Sequence, residues 1–232
     1  MAAQTDGKNV ILFDLDGVLI DSEPQHFRAW RRTMRQYGVD IDFENYKPCI
    51  GSTDGILFRI FTEKYGFHAE QHPELEEEYR KNRLSVEHEE GIIPMPGVRE
   101  TVQALFDRGY KMAVASSSPQ DYIEYCVEDI GIRDCFSALF SGRRAPRPKP
   151  APDTFLLAAE MTRANPSQCV VVEDSENGSK AAKAAGMFCI GIVNPGSGDQ
   201  DLSAADVKIT ELRELLRLLK APDGKKEAHR EC

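Results

Sequence analysis

The stretch that most constrains the fold of this chain is Val10–Glu23, with the sequence VILFDLDGVLIDSE. It begins with an apolar run that is long enough for a buried strand and too short to span a membrane. Asp14 and Asp16 follow. Because side chains alternate along a strand, both carboxylates can face the same way where the strand ends. Gly17 allows a sharp backbone turn at that point, so the stretch predicts a buried strand that delivers two acids to one end of a sheet.

The two acids also indicate a chemistry. Two neighbouring carboxylates repel each other unless a cation lies between them, and their oxygen atoms suit Mg²⁺. One carboxylate can act as a nucleophile while the other moves protons. The alternative for an isolated Asp-x-Asp is a turn after a strand, so the rest of the chain has to supply the other parts of such a site.

Strands and helices alternate from Pro94 onwards in this chain of 232 residues. Apolar patterning predicts strands over 111–115, 138–140, 169–172, 187–192 and 207–209. The helices predicted between and after them cover 97–108, 119–130, 152–162, 178–185 and 211–219. Such alternation is typical of an α/β fold with a doubly wound parallel sheet.

The region between the first strand and Pro94 shows helical patterning only, over 22–37, 53–65 and 73–84. It predicts an all-helical domain inserted after the first strand. The predicted core domain is therefore 1–21 and 95–232, and the predicted helical domain is 22–94.

Composition narrows the class of protein. The net charge of −9 argues against general nucleic-acid binding through phosphate neutralisation. The six cysteines form no CxxC pair and no zinc spacing, so we interpret them as buried free thiols in a reducing compartment. No apolar run reaches transmembrane length, and the amino terminus lacks a signal-peptide pattern. We expect a monomeric cytoplasmic protein with no nucleic-acid or membrane partner.

Polar groups follow the other predicted strands as well. Ser116 and Ser117 precede a helix start suited to an anion, and Glu173 and Asp174 offer two more carboxylates for a cation. Lys149 lies in RPKPAPD, a loop in which prolines can hold an ammonium steadily against phosphate oxygens. Taken singly, these residues can be a helix cap, a surface lysine and a loop. Together, at the carboxyl ends of parallel strands, they indicate a site for one phosphate group.

The segments DLDGV, VASSS, KPAPD and VVEDS resemble, in this order, the four motifs of the haloacid dehalogenase superfamily of phosphoryl-transfer enzymes. The resemblance covers essentially the whole chain and implies a Rossmann-like core. The predicted helical domain is similar to the cap, or substrate-specificity domain, of the branch that contains beta-phosphoglucomutases and sugar-phosphate phosphatases. Asp14 then matches the nucleophile that becomes aspartyl-phosphate, and Asp16 matches the acid and base. Dehalogenases proper lack this second aspartate, so Asp16 argues against dehalogenation.

The same resemblance implies how phosphate and metal bind. Ser116, Ser117 and Lys149 match the phosphate-binding positions. The implied cofactor is Mg²⁺, and its implied ligands are Asp14, Glu173, Asp174 and the backbone carbonyl of Asp16.

The resemblance extends into the predicted cap. HFRAW at 26–30 is similar to a stretch of the mutases in which a histidine couples cap closure to the acid/base residue, and His26 matches that histidine. A surface histidine on a helix is the alternative. Arg80, Lys81 and Asn82 resemble a mutase segment whose lysine and asparagine face the substrate.

One segment, GSTDG from Gly51 to Gly55, departs from the mutases. Mutases carry an arginine there that grips the second phosphate, whereas here Thr53 or Asp54 falls at that place. We include Gly51, Thr53 and Asp54 among the candidate substrate residues. Because a carboxylate repels phosphate, Asp54 favours a phosphatase for a singly phosphorylated substrate.

We therefore predict a Mg²⁺-dependent phosphatase that acts on a small phosphorylated sugar or related metabolite through an aspartyl-phosphate. The alternative enzyme is a beta-phosphoglucomutase. A phospho-receiver switch is a further alternative, but such switches lack the second aspartate and a cap of this length. A binding-only pseudoenzyme is the last, although every catalytic position is present.

Overall fold

The computed structural model describes residues 5–50 and 54–222, without the side chain of residue 54. Its strands form one parallel sheet in the order β3-β2-β1-β4-β5-β6. The strands are β1 Val10–Phe13, β2 Lys111–Ser116, β3 Ala138–Ser141, β4 Cys169–Glu173, β5 Phe188–Ile192 and β6 Val207–Ile209. This confirms the predicted α/β fold with a doubly wound parallel sheet. The strand order reverses at β1, and ligands of such sheets bind beyond the carboxyl ends of the strands at that reversal.

The chain divides into two compact units. The helical unit consists of Asp21–Ile93 and Pro195–Asp199, and the core unit consists of Met1–Ile20, Pro94–Asn194 and Gln200–Cys232. Each predicted boundary, after residue 21 and before residue 95, lies one residue from this division, whereas the patterning gave no sign that Pro195–Asp199 groups with the helices. The role of the helical unit as a substrate-specificity cap stays a prediction.

The sheet lies in the core unit, where β1 is buried. Its residues Ile11, Leu12 and Phe13 are fully inaccessible to solvent. Strands of a parallel sheet are covered on both faces, so they read as continuous apolar runs rather than as alternating patterns. The helices of the core unit are α5 Val98–Asp107, α6 Gln120–Asp129, α7 Asp153–Met161, α8 Glu176–Ala184 and α9 Leu215–Leu218.

The helical unit has its own apolar core. Trp30 and Met34 are buried, and the Trp30 ring stacks on Tyr79 with a centroid distance of 4.0 Å. Gly38, with φ of +78°, follows the first helix in a conformation that glycine adopts easily. The helices of this unit are α1 Glu23–Gln36, α2 Phe43–Tyr46, α3 Asp54–Tyr65 and α4 Leu75–Glu90.

Three elements differ from the sequence-based predictions. Helix α4 continues beyond the predicted end at Leu84, because Val86 and Glu87 are buried and Arg83 pairs with Glu87 along it. The short α2 was not predicted, and its first turn is capped by the Asp42 carboxylate, which accepts the Asn45 N–H at 2.9 Å. The predicted helix over 211–219 is a turn of 3₁₀ helix followed by the short α9.

Two sequence-based expectations concern absent features. The described part of the chain contains no helix with both the length and the apolar character that a membrane span requires. The cysteines described there are buried thiols that form no disulfide, as predicted: Cys49, Cys126, Cys135, Cys169 and Cys189.

Candidate active site

The sheet brings three of the predicted segments to one edge. Phe13, at the end of β1, pairs with Val114 of β2 and Val172 of β4. Asp14 follows directly, and its N–H donates to the Val172 carbonyl at 3.0 Å. Ser116 ends β2. The carboxyl ends of these neighbouring strands therefore carry the predicted nucleophile, the first phosphate-binding serine and the start of the acidic pair side by side.

Lys149 connects these strand ends. Its Nζ donates to Asp14 Oδ1 at 2.6 Å, to Glu173 Oε1 at 2.7 Å and to the Ala115 carbonyl at 3.2 Å. It also lies 4.6 Å from the centre of the Phe155 ring. The Lys149 side chain is only 7% exposed, so it is not the surface lysine of the alternative reading.

Lys149 keeps its charge in this buried place. Burial disfavours an ammonium, but the carboxylates of Asp14 and Glu173 outweigh it and raise the pKa of Lys149 above its usual value. Lys149 thus supplies a fixed positive charge beside the predicted nucleophile.

For Asp14, by contrast, the surroundings favour the uncharged form. Burial raises the pKa of Asp14 to about 7; Lys149 opposes this rise, while Glu173 and Asp16 add to it. Near neutral pH Asp14 is therefore only partly ionised, whereas a nucleophilic carboxylate has to be ionised. A further positive charge bound next to Asp14 would favour the ionised form.

Both oxygens of the Glu173 carboxylate accept hydrogen bonds from protein donors. Oε2 accepts the N–H groups of Asp174 and Ser175 at 2.9 Å each and the Ser175 hydroxyl at 2.8 Å, while Oε1 accepts from Lys149. A Cβ on Gly178 in α8 would lie 1.7 Å from Glu173 Oε1, so only glycine fits there. In this structure Glu173 fixes Lys149 and the start of α8, and its implied role as a metal ligand stays a prediction.

Asp16 is oriented by a residue that the sequence analysis did not single out. Its Oδ2 accepts a hydrogen bond from the Ser118 hydroxyl at 2.8 Å. The Ser118 N–H in turn donates to Ser116 Oγ at 3.1 Å, and Ser116 is buried. Ser117 is exposed, and its carbonyl accepts from Arg143 Nε at 3.4 Å. The run of three serines was visible in the sequence, but nothing in it showed which of them faces Asp16.

The residues at this edge fit Mg²⁺ only as an incomplete ligand set. Among residues 5–50 and 54–222, no three His, Cys, Asp or Glu side chains are arranged to hold a metal ion by themselves. The predicted ligands at this edge are the buried carboxylates of Asp14, Asp174 and Glu173 together with the Asp16 carbonyl, and Lys149 already contacts Asp14 and Glu173. Mg²⁺ is commonly held by one or two carboxylates, with water and substrate phosphate completing its shell.

The candidate substrate residues lie in the helical unit. Gly51 and Thr53 are outside the described residues, and Asp54 begins α3. Lys81 is exposed, with its Nζ 3.7 Å from a Glu77 carboxylate oxygen. None of these observations tests a role in substrate binding, which stays a prediction.

The two other candidates make contacts within the helical unit. The His26 ring packs edge-on against Tyr79 at a centroid distance of 6.5 Å. Asn82 Nδ2 donates to the hydroxyl of Thr33 at 3.0 Å, and Thr33 is fully buried. Asn82 therefore ties α4 to α1, a structural contact that the sequence analysis did not foresee.

A Rossmann-like sheet with an acid pair after its central strand, and a buried lysine that contacts Asp14 and Glu173, is the arrangement predicted above for the class of α/β enzymes that act on a phosphate group. Within that class, the chain belongs to the haloacid dehalogenase-like hydrolase family, whose sequence model matches residues 11–192. The predicted family is confirmed.

Relatives with known names refine the comparison. Hexitol phosphatase B of Escherichia coli (strain K12) is 34% identical over 206 residues, which are 88% of this chain and 92% of that protein. Beta-phosphoglucomutase of Bacillus subtilis (strain 168) is 29% identical over 210 residues, 88% of this chain and 90% of that protein. Other relatives, 29 to 32% identical, also carry the name phosphatase. These names support the predicted phosphoric monoester hydrolase over a mutase.

A solved structure agrees with the fold. CbbY from Rhodobacter sphaeroides, determined in complex with phosphate, superposes with a TM-score of 0.75 at 28% identity, over 90% of this chain and 96% of that chain.

Proposed function

We propose that this protein is a Mg²⁺-dependent phosphatase that hydrolyses a small phosphorylated sugar or a related metabolite through an aspartyl-phosphate on Asp14. The observation that carries this proposal is the buried pair of Asp14 and Lys149 at the end of β1, with Asp16 two residues further on. The names of the phosphatase relatives point to sugar or sugar-alcohol phosphates as the substrate class.

The chain's own residues would divide the work as follows. Ser116 and Lys149 bind oxygens of the phosphoryl group, and the ammonium offsets negative charge as the group transfers. Asp14 attacks the phosphorus, the bond to the ester oxygen breaks, and that oxygen takes the proton of Asp16. Water then attacks the aspartyl-phosphate while Asp16 accepts a proton from it, which releases phosphate and restores Asp14.

The implied cofactor would be held by Asp14, Asp174, Glu173 and the Asp16 carbonyl. When bound, Mg²⁺ supplies positive charge that neutralises phosphate oxygens and favours the ionised form of Asp14. Such a charge compensates the burial that raises the pKa of Asp14.

The test is phosphate release from a panel of hexose and hexitol monophosphates, with Mg²⁺ and with a chelator. We expect multiple turnovers that require Mg²⁺, and mass spectrometry of acid-quenched protein should place a phosphoryl group on Asp14. Asp14→Asn is the control and should show neither. Incorporation of one phosphoryl group without turnover would instead indicate the receiver-like switch, and no reaction at all would favour the binding-only alternative.

The beta-phosphoglucomutase alternative is kept because one relative carries that name. A mutase has to hold a doubly phosphorylated sugar, whereas Asp54 places a carboxylate in the segment where mutases carry an arginine. We expect free phosphate from beta-glucose 1-phosphate and little glucose 6-phosphate, even with a bisphosphate primer. Efficient primer-dependent isomerisation with negligible free phosphate would make the mutase correct. The expectations of a monomer and of a cytoplasmic location stay predictions.

A further inference from the structure

Ser118 is held in place more firmly than a loop serine needs to be. Its backbone N–H donates to Ser116 Oγ at 3.1 Å, and its carbonyl accepts the Ser141 hydroxyl at 2.6 Å. Both partner serines are 1% exposed and end neighbouring strands, β2 and β3. The position of the Ser118 side chain is therefore set by the sheet.

The fixed Ser118 hydroxyl points at one atom of the proposed acid. It donates to Asp16 Oδ2 at 2.8 Å, within the core unit. A carboxylate on a short side chain can rotate about two bonds, and the torsion next to the carboxylate is broad. One hydrogen bond from a stationary donor restricts this rotation. A reaction that depends on the placement of a proton requires such a fixed orientation.

We infer that Ser118 is a positioning residue that orients Asp16 for proton transfer to the leaving oxygen; this inference rests on the proposed phosphatase function. In the step concerned, the bond from phosphorus to the Asp14 oxygen forms and the bond to the ester oxygen breaks. The proton of Asp16 moves to that ester oxygen. Ser118 exchanges no proton with the substrate and acts only through Asp16.

A positioning role can be told apart from a role in phosphate binding or folding by comparing two substrates with different leaving groups. A sugar alkoxide is a poor leaving group and needs the proton from Asp16, whereas p-nitrophenolate leaves without protonation. The kinetic constant kcat/KM covers the reaction up to the loss of the leaving group, so the comparison is free of the later hydrolysis step. A misplaced Asp16 should therefore lower kcat/KM for hexose phosphates and leave kcat/KM for p-nitrophenyl phosphate nearly unchanged.

The experiment measures kcat/KM of Ser118→Ala for a hexose monophosphate and for p-nitrophenyl phosphate, both with saturating Mg²⁺. We expect a loss of about tenfold for the sugar phosphate, a part of the 10²–10⁴-fold that general acid–base catalysis contributes, and a change of less than about twofold for the aryl phosphate. Ser118→Cys, which keeps the size and weakens the donor, should show the same selectivity. The matched control is Ser137→Ala, which removes the hydroxyl that an exposed serine donates to the Met112 carbonyl and should change kcat/KM for neither substrate.

A double variant separates Ser118 from other effects. In an Asp16→Asn background, Ser118→Ala should cause no further loss, because the residue through which it acts is gone. An equal loss for both substrates, a further loss in the Asp16→Asn background, or no loss at all would overturn the inference. A wild-type protein that releases no phosphate from any substrate would instead refute the proposed function itself.

Discussion

Replacing Lys149 by methionine tests the electrostatics of the site directly. Methionine keeps the length of the side chain and removes its charge. The ammonium contacts Asp14 at 2.6 Å and Glu173 at 2.7 Å, and the exposed fractions of these side chains are 7% for the lysine, 11% for Asp14 and 1% for Glu173. Removing one partner of a buried ion pair typically costs about 3–5 kcal/mol, because a desolvated charge is left without compensation. We expect the free energy of unfolding to fall by about that amount at pH 8.

The loss should depend on pH with a defined sign. Burial already raises the pKa of Asp14 to about 7 in the presence of Lys149, and without the ammonium it rises further. An acid whose pKa is raised by folding stabilises the protein at low pH and loses that contribution as the pH rises through the folded pKa. Below pH 6 Asp14 is protonated in both proteins, so the difference between them is smaller there. Above pH 7 it widens by about 1.4 kcal/mol per pH unit while only the variant keeps the proton.

The assay is urea denaturation followed by circular dichroism at pH 5.5 and pH 8, without divalent cations. Lys180→Met is the matched control, since Lys180 pairs with Glu176 on the surface of α8 and exposed pairs contribute little. The control should unfold like the wild type at both pH values. A loss of less than about 1 kcal/mol for Lys149→Met, or the same loss at both pH values, would refute the reasoning, because that is how an exposed pair behaves.

Three further substitutions test the roles assigned to the acids. Asp14→Asn should lower turnover more than about 100-fold with the fold intact by circular dichroism, because an amide is not a nucleophile; greater residual activity contradicts the covalent mechanism. Asp16→Asn should slow turnover by about 10²–10⁴-fold and leave the Mg²⁺ concentration for half-maximal rate unchanged, and a shift in that concentration alone would contradict its role. Asp174→Ala should raise the Mg²⁺ concentration for half-maximal rate sharply in a metal titration; normal metal dependence would place the metal elsewhere.

The fold was predictable because the sequence patterns that define it are local. A strand that is covered on both faces, such as β1, is recognised by its continuous apolar run. Strictly alternating strands and helices leave few possible topologies, because the crossovers between parallel strands are right-handed. The positions of Asp14, Ser116 and Glu173 then follow, because the carboxyl ends of parallel strands meet at one edge. Lys149 lies in a loop rather than at a strand end. Two signals predicted that it belongs to the same edge: the prolines around it and its place in the order of the four motifs.

Contacts that depend on the exact register and on side-chain direction were not predictable. The sequence shows three consecutive serines, and only the hydrogen bonds of Ser116 and Ser141 select Ser118 as the one that meets Asp16. The sequence also did not show that the Asn82 amide binds Thr33 on α1, because which side of α4 faces α1 depends on how the two helices pack. The need for glycine at position 178 likewise follows from the Glu173 carboxylate folding over the start of α8.

The charges at the sheet edge explain why these acids are useful together. Asp14, Asp16, Glu173 and Asp174 can carry four negative charges, and Lys149 brings one positive charge into direct contact with two of them. A phosphate ester adds further negative charge, which a site of this composition repels. Protonation of Asp14 would relieve the repulsion, and its pKa of about 7 makes that possible, but it would also remove the nucleophile. A divalent cation would relieve the same repulsion and leave Asp14 ionised, so under the proposed function the burial of Asp14 makes its reactivity depend on the metal.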